Sequence, residues 1–303
     1  MLINKIVEHL GAVGIRIAQD AWDDTIRFYA DIVGLQIEDR GADRVLMRAK
    51  RDRKAYTLAL YRADRPGLQF GLWKVPEHAD LEAISRIARE HGLSPSIVKP
   101  GTLPGVEDAV EVIDHGGHRM VYTDRLPMTP PRAEPYRGIS VHALDHMNIN
   151  YKETLEHARS FYMDGLGFAL SDRADIGGTP LAYWTRVTDR HHDLAIMSGG
   201  NFFHHCAFRV ISPDDLRRAS DQFADLKYPV ECGPGAHSPA GMYFIYVKDP
   251  SGNRIELFLD EGRSWEHWEP RFFSDLDTKK YPLTTLLARW GEVPPPPFYT
   301  TGT

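Results

Sequence analysis

The sequence predicts an α+β protein made of two tandem domains, each a pair of βαβββ modules. Three observations carry that prediction. Residues 28–40, FYADIVGLQIEDR, align with residues 161–173, FYMDGLGFALSDR, at an offset of 133. Residues 68–92 align with residues 204–228 at an offset of 135, each segment reading as a strand, a polar turn and a helix. Asp114-His115-Gly116-Gly117 and Asp249-Pro250-Ser251-Gly252 each interrupt two strand-like runs, which is a hairpin signature. A fixed internal period decides the architecture before any single element does.

In chain order, GAVGIRI (11–17) reads as a short apolar strand. A helical pattern follows, with Trp22, Ile26 and Tyr29 on one face, and Gly34 is suited to the left-handed position that closes a helix. LQFGLWK (68–74) is a second strand, followed by a helix and the first hairpin. The second half repeats the plan: ALDHMNI (143–149) as the strand, Leu155, Ala158 and Tyr162 on the helix, Gly167 at its end. The domains are expected at 1–128 and 139–262, joined through LPMTPPRAEPYRGIS (126–140), where proline replaces periodicity. A tail follows at 263–303. From Trp265 onward, ending in VPPPPFYTTGT, it reads as too proline-rich to continue a sheet or a helix.

With 303 residues, 42% hydrophobic and 26% charged, the chain has the composition of two ordinary globular cores. The net charge of −6 supplies no basic stripe, so nucleic acid is not an expected partner. No run approaches the ~20 apolar residues of a membrane span, and MLINKIVEHLG lacks the apolar core of a signal peptide. Cys206 and Cys232 are the only cysteines, too few for a disulfide framework, so a reducing cytoplasm is the expected compartment.

Duplicated modules expose chemistry where one copy keeps a polar group that the other lacks. Carrying the offsets across sets His146 opposite Val13, His205 opposite Phe70 and Glu256 opposite Val121. One such residue would be read as a polar group satisfied locally in its strand. Three at equivalent positions read as a set. Two imidazoles and one carboxylate form the facial triad that holds Fe(II) with open positions, and Mn(II) satisfies the same ligands. Asn148 lies two residues beyond His146 and shares its face. A five-residue loop at 249–253 pairs Tyr246 with Glu256, setting a phenol beside the carboxylate.

These segments resemble the type I extradiol dioxygenases of the vicinal oxygen chelate superfamily, near the catechol 2,3-dioxygenase and homoprotocatechuate 2,3-dioxygenase branch. The carriers are LDHMNI, HDLAIMSGGNFFHHCAF and GPGAHSPAGMYFIYVKDPSGNRIELF. In the family a histidine and a tyrosine precede the glutamate ligand by nineteen and ten residues, which here are His237 and Tyr246. The resemblance implies O2-dependent ring cleavage of a catechol-type diol chelated to Fe(II). It implies His146, His205 and Glu256 as ligands, and His205 rather than His204 of that pair. His192 would stabilise bound oxygen and move protons, while His237 and Tyr246 orient the substrate oxygens. Asn148 and Trp184 match pocket positions of the homoprotocatechuate branch. It also implies a homo-oligomer, a tetramer being the favoured size.

One departure bears on the substrate. The carboxylate-gripping arginine of the homoprotocatechuate enzymes, five residues before the histidine here numbered 237, is replaced by Cys232. The expected bidentate clamp is missing, so a ring without that acidic side chain is expected. Arg289 in the tail could supply an anion contact, but a solvated surface arginine is the preferred reading. The rival readings are a glyoxalase-like isomerase or metal-dependent transferase of the same superfamily, and a metal-free small-molecule binding protein of this fold.

Overall fold

Two mixed β-sheets divide the chain, and their strand orders are the same. A computed structural model describes residues 6–130, 135, 137–239, 241–260, 262, 268–273 and 286–303. The first half holds β1 (His9–Ala18), β2 (Gln36–Arg40), β3 (Arg44–Arg48), β4 (Leu58–Ala63), β5 (Gly67–Lys74), β6 (Ser96–Val98), β7 (Ala109–Ile113) and β8 (Arg119–Thr123). Its sheet runs β2-β3-β4-β1-β5-β8-β7-β6. The second half holds β9 (Ala143–Tyr151), β10 (Ala169–Ile176), β11 (Thr179–Arg186), β12 (Leu194–Ser198), β13 (Phe202–Arg209), β14 (Val230–Ala236), β15 (Tyr243–Lys248) and β16 (Arg254–Leu259). These eight run β10-β11-β12-β9-β13-β16-β15-β14, the first order repeated strand for strand. In every module the opening strand lies parallel to the closing one: β1 with β4, β5 with β8, β9 with β12 and β13 with β16. The α+β class and the paired βαβββ plan expected from the repeats are what the chain adopts.

The helices that link these strands end where the sequence says they should. Trp22–Arg27 (α1) widens into a looser turn through Val33, and Gly34 closes it at φ +87°, its N–H reaching Tyr29 O at 3.0 Å. A Cβ at Gly34 would stand 2.2 Å from Arg137 O, so only glycine fits. His78–Glu90 (α2) starts on a reciprocal Glu77–Asp80 capping box. After α3 (Glu156–Ala158), Pro213–Asp225 (α4) starts on Ser212 and Asp215 in the same arrangement, with Pro213 as its first residue.

Ladder registers test the repeat alignment directly. Gly71 pairs with Met120 and Leu72 with Val121, while Cys206 pairs with Ile255 and Ala207 with Glu256. The offset is 135 on both strands, so Phe70 does stand where His205 stands, and Val121 where Glu256 stands. For His146 the expected counterpart is corrected. Gly14 pairs with Phe70 and Asn148 with His205, an offset of 134 that sets Ala12, not Val13, opposite His146. The loop between strand and helix is one residue shorter in the second half, and one residue moves a strand side chain to the other face. Val13 accordingly belongs to the large core between the halves, whereas Ala12 clusters with Phe70 and Val121.

Each sheet therefore has two faces with different tasks. One face, with the helices, builds a single core that runs through both halves, Trp73 meeting Phe168 edge-on at 5.4 Å across the junction. The other face of the first sheet is filled with apolar side chains. Phe70 covers Gly14 there, and its burial is worth about 2–3 kcal/mol. The matching face of the second sheet encloses a polar cavity.

The tail departs from expectation. Arg271–Phe273 (β17) adds to β10 in parallel, and Trp290–Gly291 (β18) adds to β14 antiparallel, so it extends the second sheet at both edges. Pro297–Thr300 makes a helical turn with proline first, where a missing N–H costs nothing. Proline barred long regular elements but not these short ones. Trp265 and the rest of 263–267, along with 274–285, lie outside the described residues, as do 131–134 and 136 of the connecting segment. Among the described residues no helix is long and apolar enough to cross a membrane, and both cysteines are buried free thiols.

Candidate metal centre and cavity

Three neighbouring strands of the second sheet, β9, β13 and β16, bring His146, His205 and Glu256 to one point. The Nε2 atoms of the two histidines are 3.3 Å apart, and each lies 3.1 Å from Glu256 Oε2. None of the three is more than 3% exposed. On β16, Ile255 and Leu257 turn to the core while Glu256 and Phe258 turn to the cavity, as strand alternation requires.

The surroundings fix which nitrogens face inward. His146 Nδ1 donates to Asp145 Oδ1 at 3.1 Å, and Arg209 Nε donates to Asp145 Oδ2 at 2.8 Å. Burial opposes ionisation of Asp145, but Arg190 and His146 outweigh it and hold that carboxyl well below the usual range. Burial also opposes charge on His146, yet the Asp145 and Glu256 carboxylates lift it to about 9. His205, lacking such a carboxylate on its outer nitrogen, is pushed by burial down to about 4. Glu256 is buried too, but the bonds from His146 and His205 keep it well below the carboxylate range.

The donor set fits a divalent cation. Two buried imidazole nitrogens converge on Glu256 Oε2, and Glu256 Oε1 makes no hydrogen bond of good geometry, His237 Nε2 standing 3.4 Å from it. A buried carboxylate oxygen without a partner is costly unless a cation completes the site. Oxygen and imidazole donors from three strands, leaving one side free, match the geometry of a 2-His-1-carboxylate centre.

Around this point lies a cavity lined by His192, Asn148, Trp184, His237 and Tyr246, so all eight residues singled out in the sequence meet at one place. Tyr246 pairs with Glu256 in the expected register. His237 Nδ1 donates to Leu287 O at 2.5 Å, which leaves Nε2 to accept from Tyr246 Oη at 3.0 Å. Burial and the adjacent Glu256 raise the Tyr246 phenol far above its ordinary value. The His192 ring lies 4.0 Å from that of His146. Burial, and then His146 and His191, hold His192 neutral. Its Nδ1 meets His191 Nδ1 at 3.0 Å, and His191 Nε2 donates to Asp172 Oδ2 at 3.0 Å. Asn148 keeps a buried Oδ1 without a partner, aimed into the same space.

Sequence reasoning missed the part of the wall that the tail supplies. Leu287 and Phe298 line the cavity, and Phe298 stacks edge-on against Tyr246 at 4.8 Å. No periodicity marks a single aromatic in VPPPPFYTTGT. Arg289 is exposed and does not line the cavity. Cys232 is buried behind Tyr246 and Phe298, its thiol donating to Glu292 O at 3.4 Å.

Repeated βαβββ modules, with a His-His-Glu cluster that among the described residues lies in the second half, have the fold of the vicinal oxygen chelate proteins. Residues 143–257 match the model of the Glyoxalase/Bleomycin resistance protein/Dioxygenase superfamily. The chain is 26% identical over 281 residues to the manganese-dependent 2,3-dihydroxybiphenyl 1,2-dioxygenase of Geobacillus genomosp. 3, covering 86% of this chain and 87% of that one. It is 26% identical over 282 residues to a metapyrocatechase of Pseudomonas sp. strain CF600, covering 88% and 91%. Among solved structures, homoprotocatechuate 2,3-dioxygenase from Arthrobacter globiformis superposes with a TM-score of 0.88 at 21% identity, over 99% of this chain and 92% of that one.

Proposed function

We propose that the protein is an extradiol ring-cleavage dioxygenase that inserts both atoms of O2 into a catechol-type diol. The observation that carries this reading is the buried convergence of His146, His205 and Glu256 beside His192, His237 and Tyr246. In this reading His146, His205 and Glu256 hold Fe(II), or Mn(II), the metal in the name of one relative. A metal held there would supply Lewis acidity toward a ring hydroxyl and a fixed point for bringing the ring and O2 together.

The chain's own groups have separate tasks. His237 and Tyr246 form a hydrogen-bonded pair that orients the substrate oxygens, Nε2 of His237 being ready to take a proton. His192, kept neutral, offers a proton acceptor and later a donor on the side of His146. Trp184 and Phe298 confine the ring, and the free Oδ1 of Asn148 offers it an acceptor. Among the described residues no arginine or lysine lines the cavity, which supports a substrate whose ring substituent is neutral.

The rival superfamily activities often spread their ligands over both halves or both subunits, whereas here the apolar Ala12, Phe70 and Val121 fill the first half's equivalent space. A homo-oligomer, with a tetramer as its size, and a cytoplasmic setting complete the reading. Exposed Phe272 and Trp290 on the two edge strands support association through the tail. The test is anaerobic loading with Fe(II), then a catechol, then O2. A yellow ring-opened product that requires all three supports the proposal; metal-independent binding without O2 uptake overturns it.

A further inference from the structure

His204 sits beside the proposed ligand His205, and strand geometry alone would send the two side chains to opposite faces. A bulge prevents that. The β9–β13 register slips between Phe203 and His205, and the extra residue is His204, whose ring turns to the same cavity as His205. The first half carries the same slip between Leu68 and Phe70, where the extra residue is Gln69. The bulge is thus a property of the repeat, and the imidazole on it is a property of the second half.

The bonds of His204 define its tautomer. Its Nε2 lies 2.8 Å from the carbonyl oxygen of Phe298, which can only accept, so Nε2 carries the proton. With that proton on Nε2, the imidazole's Nδ1 is an acceptor. That atom lies 2.6 Å from His205 Nδ1, which must donate. His205 is left with its lone pair on Nε2, the atom 3.1 Å from Glu256. For His146 the carboxylate of Asp145 does this work; for His205 the acceptor is an imidazole held by the tail.

The tail is stitched to that spot. Thr303 and Phe203 exchange both backbone hydrogen bonds, at 2.9 and 3.0 Å. Arg254, in a two-point bond to Glu231, donates to Thr301 O at 3.1 Å and stacks on Phe298 at 4.5 Å. If the tail leaves, His204 loses the carbonyl that sets its tautomer.

We propose that His204 is a positioning residue that fixes the inward lone pair of His205 and makes it depend on the docked C-terminal segment 297–303. This rests on the ligand assignment above. Outer partners of metal-bound histidines are worth about 10–100-fold in metal affinity, and coupling between two sites is reciprocal. Metal should therefore tighten the tail as much as the tail tightens metal.

The test uses the full-length apoprotein titrated anaerobically with Fe(II) and with Mn(II), and hydrogen exchange of residues 297–303 with and without metal. His204→Leu should lower affinity about 10–100-fold and abolish the slowing of tail exchange that metal produces in the wild type. His204→Asn, which keeps an acceptor for His205 Nδ1, should recover most of the affinity. A stop codon at 297 should cost as much as His204→Leu, and the two together no more than either. Wild-type affinity in His204→Leu, tail exchange indifferent to metal in the wild type, or additive losses would each overturn the inference. A separate outcome concerns the ligands themselves: if His205→Ala binds metal as tightly as the wild type, the metal assignment falls and takes this inference with it.

Discussion

Tyr162 of the second half donates to Asp114 of the first at 2.7 Å, and its repeat mate Tyr29 donates to Asp249 in the opposite direction at 3.1 Å. The duplicated module thus clasps itself twice, each hairpin carboxylate taking a phenol from the other half's helix. The two clasps differ in two partners, the Tyr151 phenol also donating to Asp114, at 2.7 Å. Asp114 also bonds His118, while Asn253 stands at the equivalent place beside Asp249. The result is opposite shifts. Both carboxyls are penalised by burial, but His118 draws Asp114 below its ordinary value, whereas Asp249, with only neutral partners, is raised to about 6.

Removing the stronger phenol should hurt more. Tyr162→Phe takes a donor from an ionised, buried carboxylate, a loss of about 1.5–3 kcal/mol, and Tyr29→Phe about 0.5–1.5 kcal/mol. Urea unfolding at pH 5, where Asp249 is protonated and Asp114 ionised, measures both. Equal losses, or a larger one at Tyr29, would show that the charge difference between the clasps does not matter.

Asp249 predicts a pH dependence with a definite sign. Its folded pKa of about 6 exceeds the unfolded 3.8, so the folded state binds the proton more tightly. Its contribution is most favourable below about pH 4, is lost as pH rises to about 6, and then stays constant, the total being on the order of 3 kcal/mol. The stability difference between Asp249→Asn and the wild type should move in favour of the variant across that window. A flat difference between pH 4 and 7 would refute the shift.

Much of this architecture was legible because duplication supplies an internal control. Offsets of 133 and 135 located the modules, and the 249–253 loop gave the Tyr246–Glu256 register without error. The offsets set Val13 where Ala12 stands because a one-residue difference between strand and helix leaves no mark where both neighbours are apolar. The roles of Phe298 and His204 were not legible for another reason. Both depend on a segment that returns from far along the chain, His204 meeting a carbonyl 94 residues away, and no local pattern encodes such a contact.

One metal per chain is expected, since the first half offers Ala12, Phe70 and Val121 where the second offers His146, His205 and Glu256. His146→Ala, His205→Ala and Glu256→Gln should each lose it while far-ultraviolet circular dichroism stays unchanged. Full occupancy in any variant removes that residue from the ligand set. Two metals in the wild type would place a site where none is expected.

Neutral catechols should be preferred over rings bearing a carboxylate. Cys232 is turned toward Glu292 O, Arg289 is exposed, and no cationic side chain lines the cavity among the described residues. An unpaired carboxylate buried there costs several kcal/mol, equivalent to a factor of about 10² or more in kcat/KM. Competition between catechol and homoprotocatechuate measures the ratio, and a preference for the acid would send the search to the tail residues outside those described.

His192 separates binding from oxygen chemistry. It stands against His146 with ring centroids 4.0 Å apart, yet it is not among the three groups whose donor atoms converge. His191 Nε2 faces the Asp172 carboxylate, so His191 presents Nδ1 as an acceptor and His192 donates to it through its own Nδ1. Its Nε2 is thereby left unprotonated, poised to take a proton and return it. His192→Phe keeps the ring's bulk and removes that ability. Metal content and anaerobic substrate affinity should stay near wild type, while the steps after O2 addition slow by about 10²–10⁴, the usual worth of a positioned acid–base group. Stopped-flow mixing of the anaerobic enzyme–substrate complex with O2 resolves those steps. Loss of metal would make His192 a ligand or a structural residue. An unchanged oxygen reaction would move the proton role to His191, whose path through Asp172 and Arg271 ties it to the same tail.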